Sequence, residues 1–233
     1  MAIIDNHKSV KIDQAFSDKH VEMFNFFDKH GVDVEVSDNF KDFQYFLTHL
    51  SADDYPYSYD PTFEPEYGNE TAFTLMLKKG DDIIATYAGK SMPVSTFHLD
   101  FKEWSASHGA TYETYETIEN LIDDSGKNCY YSSCQWVSKD HRGKKFGMIL
   151  DHLKKNVCFD IFEADIQYAI HKESFKDYHL NGLHYDESKW LATIPKGDVG
   201  GAGEKKDKVY NMTWVTKESW KNKLNDVRKL YTS

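Results

Sequence analysis

Apolar residues recur at helical spacing through residues 17–30, where Val21, Phe24, Phe26 and Phe27 gather on one side and Gly31 ends the run. The period then changes to two. In Val32-Asp33-Val34-Glu35-Val36 every second residue is apolar, as in a half-buried strand. Ser37 or Asp38 stands where a cap belongs for a second helix, with Phe40, Phe43, Phe46, Leu47 and Leu50 recurring three or four apart. Residues 53–69 hold three prolines and several tyrosines, lose both periods, and are expected to form a loop.

Two apolar runs, 71–76 and 83–88, flank Leu77-Lys78-Lys79-Gly80-Asp81-Asp82, a pattern that predicts a hairpin with a polar, glycine-bearing turn. Residues 91–127 mix acids with Phe101, Trp104, Tyr112, Tyr115, Ile118 and Leu121, and read as inserted helix and loop. Trp104, Tyr112 and Tyr115 suit either packing of that insertion or the wall of a pocket. Residues 129–137 read as a strand. A short polar turn follows, and then a helix with Phe146, Ile149, Leu150, Leu153 and Val157 on one face. A strand over 164–170, a helix near 174–179 and a final hairpin built from 190–194 and 209–215 complete the pattern. Within that hairpin, residues 196–207 are rich in glycine and charge, and a mobile loop is expected there.

At 233 residues, 28% charged, 40% hydrophobic and 15% aromatic, the chain is large enough to bury one substantial core. No stretch approaches the ~20 apolar residues of a spanning helix. The opening Met1-Ala2-Ile3-Ile4-Asp5 meets charge too early for a signal peptide, so a soluble, cytoplasmic protein is expected, with no membrane partner. A net charge of −10 repels a phosphate backbone over most of the surface; residues 139–145 alone look basic, which counts against nucleic acid as a partner. The three cysteines include no Cys-x-x-Cys pair. Cys129 and Cys134 lie an odd number of residues apart, hence on opposite sides of a strand, and read with Cys158 as reduced core thiols. His141, His171, His179 and His184 have no metal-ligand spacing, and no metal site is expected.

The most informative segment is Gln135-Trp136-Val137-Ser138-Lys139-Asp140-His141-Arg142-Gly143-Lys144-Lys145-Phe146-Gly147, which runs from strand through turn into an amphipathic helix. The first amides of a helix lack intrahelical partners and carry the positive end of its dipole, so such a turn suits a diphosphate. Gly143 and Gly147 allow close backbone approach, while Arg142, Lys144 and Lys145 supply positive charge. A solvated basic turn over a surface helix fits the same pattern.

This segment resembles the cofactor motif of the GNAT superfamily of N-acetyltransferases, Gln/Arg-x-x-Gly-x-Gly/Ala, with Arg142 first, Gly147 last, and Lys145 in place of the middle glycine. A second stretch, Phe175-Lys176-Asp177-Tyr178-His179-Leu180-Asn181-Gly182-Leu183, is similar to the tyrosine helix of that family. Gly182 is its stop, Leu183 stands where phenylalanine is common, and His171 occupies the place of a frequent asparagine. The resemblance covers roughly residues 32–215 and implies an α/β, GNAT-like fold: a central mixed, mostly antiparallel sheet flanked by helices and splayed at the cofactor strand. It implies one domain over 1–233, with an N-terminal helical extension (1–31) and an insertion (91–127).

The function implied is transfer of an acetyl group from acetyl-CoA, as co-substrate, to a primary amine by direct attack in a ternary complex. Gln135, Trp136, Val137, Arg142, Gly143, Lys144, Lys145, Phe146 and Gly147 would bind the cofactor, and Tyr178 would protonate the departing thiolate. On residue pattern alone Tyr178 fits a core or rim position equally well. The strand offers Ser132, Ser133 and Gln135 but no glutamate, so no general base is named. The acceptor is expected to be a small-molecule or peptide amine, and the acidic surface favours a cationic one such as a lysine side chain, polyamine or amino sugar. Lys145 and the missing glutamate leave open a GNAT-like binding or structural protein without catalysis.

Overall fold

The computed structural model describes residue 12 and residues 14–37, 72–97, 122, 126–194 and 208–232. Among these residues the chain forms α1 (Gln14–Lys19), α2 (Val21–Lys29), β1 (Asp33–Ser37), β2 (Ala72–Lys79), β3 (Asp82–Ser91), β4 (Cys129–Val137), α3 (Phe146–Asn156), β5 (Ile166–Lys172), β6 (Glu187–Ile194), β7 (Lys208–Thr216) and α4 (Lys217–Thr232). The helix expected over 38–50, the loop 53–69, the glycine-rich segment 196–207 and most of the insertion, including Trp104, Tyr112 and Tyr115, lie outside the described residues.

The described strands form one seven-stranded sheet in the order β1-β2-β3-β4-β5-β7-β6. Every neighbouring pair is antiparallel except β4 and β5. A parallel pair requires a crossover, and α3 supplies it. The expected hairpin is present, with longer strands and a shorter turn. Leu77 is buried and pairs with Ala85, so β2 and β3 run on until only Gly80 and Asp81 connect them, with Gly80 at φ +61.

Two irregularities shape β4. It pairs with β5 only from Cys129 to Ser132, against Ile166 to Ala169. Beyond that point β4 stays with β3 as far as Val137, while β5 stays with β7 as far as Lys172. The strands therefore splay, as expected, and among the described residues no strand lies on the β5 side of the second half of β4. On the β3 side Thr86 pairs with Trp136 and Ala88 with Ser133, so Tyr87 faces two residues of β4. Such a bulge bends the strand and increases its twist at the point of parting.

A continuous core joins α1, α2, α3 and α4 to Phe73, Leu75, Leu77, Tyr87, Tyr130, Ala169 and Val215 of the sheet. Tyr131 and Tyr168 are paired across β4 and β5 and alternate with those residues. They turn to the other face, where Phe97 packs with ring centroids 4.4 and 5.5 Å away.

One expectation about the helices needs correction. The helix over 17–30 is two helices that break at His20, whose buried ring bonds Asp160 at 2.9 Å through Nε2. No element was expected where α4 lies. Its Trp220, Val227 and Tyr231 are buried, and it covers α3 at His152 and Asn156. Trp220 Nε1 donates to Asn156 Oδ1 at 2.8 Å, and Tyr231 Oη lies 2.9 Å from His152 Nδ1. Cys129 and Cys158 are buried free thiols, and burial pushes Cys158 up to about 12. No helix among the described residues is long and apolar enough to cross a membrane.

Candidate active site at the parting of β4 and β5

The turn between β4 and α3 is held by its own side chains. Ser138 Oγ and His141 Nδ1 lie 2.7 Å apart, and Arg142 Nε donates to the Val137 carbonyl at 3.0 Å, which folds the chain back over the end of β4. Gly143 adopts φ +76. Lys145, where the motif has glycine, adopts the left-handed conformation at φ 66, and its ammonium reaches the Leu230 carbonyl in α4 at 3.3 Å. The first bond of the helical ladder runs from Ile149 N–H to the Lys145 carbonyl at 3.0 Å. The amides of Phe146, Gly147 and Met148 precede that ladder, at the positive end of the α3 dipole. Arg142, Gly143, Lys144 and Lys145 are exposed around them.

Four of the residues singled out from sequence meet at the first turn of α3. Gln135 Nε2 donates to the Gly147 carbonyl at 2.7 Å, tying the bulged part of β4 to the helix. A β-carbon at Gly147 would stand 3.1 Å from Val137 Cγ2, 3.4 Å from Gln135 Nε2 and 3.9 Å from Tyr178 Oη. Gly147 therefore sits where β4 and the segment carrying Tyr178 close on the first turn of α3. The side chains of Trp136 and Phe146 are buried, and Phe146 packs against Phe26 and His30 with centroids 5.8 and 5.5 Å away.

Tyr178 begins a wide turn, Tyr178–Gly182, in which Leu183 N–H donates back five residues to the Tyr178 carbonyl at 2.8 Å. Widened turns of this type recur at functional sites because they re-aim a side chain without ending the helix. One flank of the Tyr178 ring is open, at 41% exposure, while its hydroxyl end points at Gly147. Burial first, and then the Asp151 carboxylate, push the phenol up to about 12, so it holds its proton at neutral pH. His179 turns inward and stacks on His171 with centroids 4.1 Å apart. His171 bonds the Lys172 carbonyl at 2.8 Å through Nδ1 and Ser188 Oγ at 3.0 Å through Nε2. Among the described residues no group of three His, Cys, Asp or Glu side chains stands close enough to hold a metal ion.

Asp151, Lys154 and Lys155 had drawn no attention in the sequence, because charges at i, i+3 and i+4 read as the solvated side of α3. All three are buried. Trp220, Leu224, Val227 and Tyr231, spaced four, three and four apart, carried the missing signal, since a C-terminal helix with that stripe needs a face to cover.

No protein-family model matches the chain, and no curated protein matches it by sequence. Solved structures do match. The polyamine N-acetyltransferase of Drosophila melanogaster, an enzyme that catalyses the formation of N-acetylagmatine, aligns with a TM-score of 0.50 at 12% identity, over 79% of this chain and 100% of its own. An agmatine N-acetyltransferase in an apo form aligns with a TM-score of 0.50 at 12% identity, over 80% of this chain and 99% of its own. The chain has the GNAT fold. In this fold β4 parts from β5 beside the first turn of α3, where a β-carbon at Gly147 would stand 3.9 Å from the Tyr178 hydroxyl.

Proposed function

We propose that this protein is a CoA-dependent N-acyltransferase, taking acetyl-CoA as donor and a cationic primary amine as acceptor. The observation that carries this reading is the meeting of Gln135, Val137, Gly147 and Tyr178 at the N-terminus of α3, beside the point where β4 parts from β5. The amides of Phe146 and Gly147, with Arg142, Gly143, Lys144 and Lys145 around them, suit a diphosphate by geometry and by charge. An extended pantetheine arm suits the β5 side of β4 between Gln135 and Val137, where β5 no longer pairs with it. Trp136 contributes through its backbone there.

Acetyl-CoA supplies the thioester whose carbonyl carbon the amine attacks. The reacting ammonium first loses a proton to solvent; the free amine then attacks, a C–N bond forms, the C–S bond breaks, the nitrogen gives its second proton to solvent, and Tyr178 Oη gives one to the departing sulfur. A phenol held near 12 is protonated before the step and is reprotonated from water after it. The net charge of −10 favours a cationic acceptor by steering, and polyamines and agmatine, on which the two structural relatives act, are the first compounds to try. We take residues 1–233 as one such domain, with 1–31 as an extension and 91–127 as an insertion.

A second reading, a GNAT-fold binding module without catalysis, draws on Lys145, whose ammonium is engaged by Leu230. Calorimetric titration with acetyl-CoA separates the readings when run on wild type, Arg142→Glu and Gly147→Asp and followed by turnover assays with agmatine and spermidine. Micromolar binding lost in both variants, with turnover that falls about 100-fold or more in Tyr178→Phe, supports the enzyme. Binding without turnover by the wild type supports the module, and no binding removes both.

A further inference from the structure

Asp151, Lys154 and Lys155 form an ionic cluster at 0% exposure, in which two ammonium groups share one carboxylate. Lys154 Nζ donates to Asp151 Oδ1 at 2.7 Å, and Lys155 Nζ donates to Asp151 Oδ2. Each lysine also reaches off the helix. Lys154 Nζ donates to Tyr185 Oη at 2.8 Å, and that hydroxyl donates to Asp151 Oδ1 at 3.3 Å. Lys155 Nζ donates to the Leu183 carbonyl at 2.7 Å. Aromatic faces close the remaining sides, with Lys154 Nζ 4.2 Å from the centroid of Tyr87 and Lys155 Nζ 3.8 Å from that of Tyr185.

Burying three charges costs several kcal/mol per ion before their attraction is counted, and well-packed apolar residues of similar volume often serve stability as well or better. Stability alone therefore does not account for the cluster. Its off-helix partners Leu183 and Tyr185 both belong to the stretch that follows Tyr178. Leu183 N–H donates to the Tyr178 carbonyl at 2.8 Å, and Tyr185 N–H donates to the His179 carbonyl at 3.1 Å. Two hydrogen bonds in series thus link the Lys155 ammonium to the backbone of Tyr178, and Lys155 stands two helical turns along the same helix from Gly147.

We infer that Asp151, Lys154, Lys155 and Tyr185 are positioning residues, a clamp that fixes the Tyr178 turn against α3 and so sets the distance between the Tyr178 hydroxyl and Gly147. The inference rests on the reading of Tyr178 as proton donor. None of the four touches the reacting atoms; apart from the Asp151 charge felt by the Tyr178 phenol, they act through the backbone of residues 178–185. Displacing a reacting group by about 1 Å can cost on the order of 100-fold in rate, so a loosened clamp lowers kcat far more than it weakens binding of the donor.

The test uses the full chain with Tyr185→Phe, which deletes the hydroxyl and keeps the ring, and Lys155→Met, which removes the bond to Leu183. Thermal unfolding, acetyl-CoA affinity, kcat and hydrogen exchange of the 178–183 amides are measured on each. The clamp predicts faster exchange at 178–183 with β5 amides unchanged, a kcat lowered about 10-fold or more, and acetyl-CoA affinity within about threefold of wild type. A folded Tyr185→Phe with wild-type exchange at 178–183 and wild-type kcat overturns it. Should Lys155→Met fail to fold, Tyr185→Phe decides, since both lysines keep Asp151. If the wild type binds no acetyl-CoA, the acyltransferase reading fails by itself; the exchange comparison then still supports or overturns the clamp.

Discussion

Gly182 lies under the ring of Tyr178 so closely that a β-carbon there would stand 2.9 Å from Cδ2 and 3.2 Å from Cε2. Gly182→Ala must therefore push the ring away, and because the far end of that ring faces Gly147, the hydroxyl moves with it. We expect turnover to fall about 10-fold or more with a stability loss of about 1–3 kcal/mol, the usual cost of overpacking. Steady-state kinetics beside thermal unfolding check this, and wild-type turnover in a folded Gly182→Ala would show that the hydroxyl does not need its place.

Lys145 occupies a left-handed conformation that costs a residue with a β-carbon about 1 kcal/mol relative to glycine. Its side chain also reaches Leu230, so a fair comparison removes the ammonium in both variants. Lys145→Gly should be more stable than Lys145→Ala by about 1 kcal/mol in denaturant titrations. Equal stabilities would mean that the turn relaxes out of the left-handed region.

Several histidines are held neutral in the fold. Burial, helped by the neighbouring His171, pushes His179 down to about 2, and burial likewise pushes His152 well below its ordinary 6.5. The unfolded chain takes up protons at these rings below about 6.5, whereas the folded chain does not until near 2 for His179. Stability is thus fully expressed above 6.5 and falls as pH drops beneath it. Each such ring contributes a slope of about 1.4 kcal/mol per pH unit, so the two together predict a loss of about 2–3 kcal/mol between pH 7.5 and 5.5. Urea unfolding at the two pH values measures this, and His179→Gln should flatten the dependence; a stability that does not change would refute the assignment.

Trp220 and Tyr231 anchor α4 by hydrogen bonds into α3. Trp220→Phe strands the buried Asn156 carbonyl oxygen and should cost about 1–3 kcal/mol, and Tyr231→Phe a similar amount at His152. Lys229→Ala, which deletes an exposed pair with Asp226 on the same helix, should leave stability unchanged. Unfolding midpoints of the three variants check the contrast, and a Trp220→Phe protein as stable as the Lys229→Ala protein would remove the anchoring role.

How far the sequence carried is clearest at α3 and α4. The apolar stripe from Phe146 to Val157, the hairpin around Gly80 and the turn from Ser138 to Lys145 were legible because each is a local pattern of period or turn chemistry. The splay was anticipated only through the family resemblance, since nothing in Cys129–Val137 itself says where β5 leaves it. The clamp was not legible at all. Asp151, Lys154 and Lys155 carry a surface pattern, and only the cover given by Tyr87, Leu183, Tyr185 and Trp220, all distant in sequence, turns that pattern inward. Likewise Phe146 and Trp136 have the right place in the motif, yet their side chains answer to the core.

A helix buried on every side from Ile149 to Asn156 has a practical meaning for chemical work on the protein. Lys154-Lys155 has the look of a tryptic site and of two reactive surface amines, yet in the folded molecule neither proteases nor amine-directed reagents reach it. Cleavage or labelling at that dipeptide would therefore report opening of the whole layer between sheet and C-terminal helix, an unfolding gauge already written into the chain.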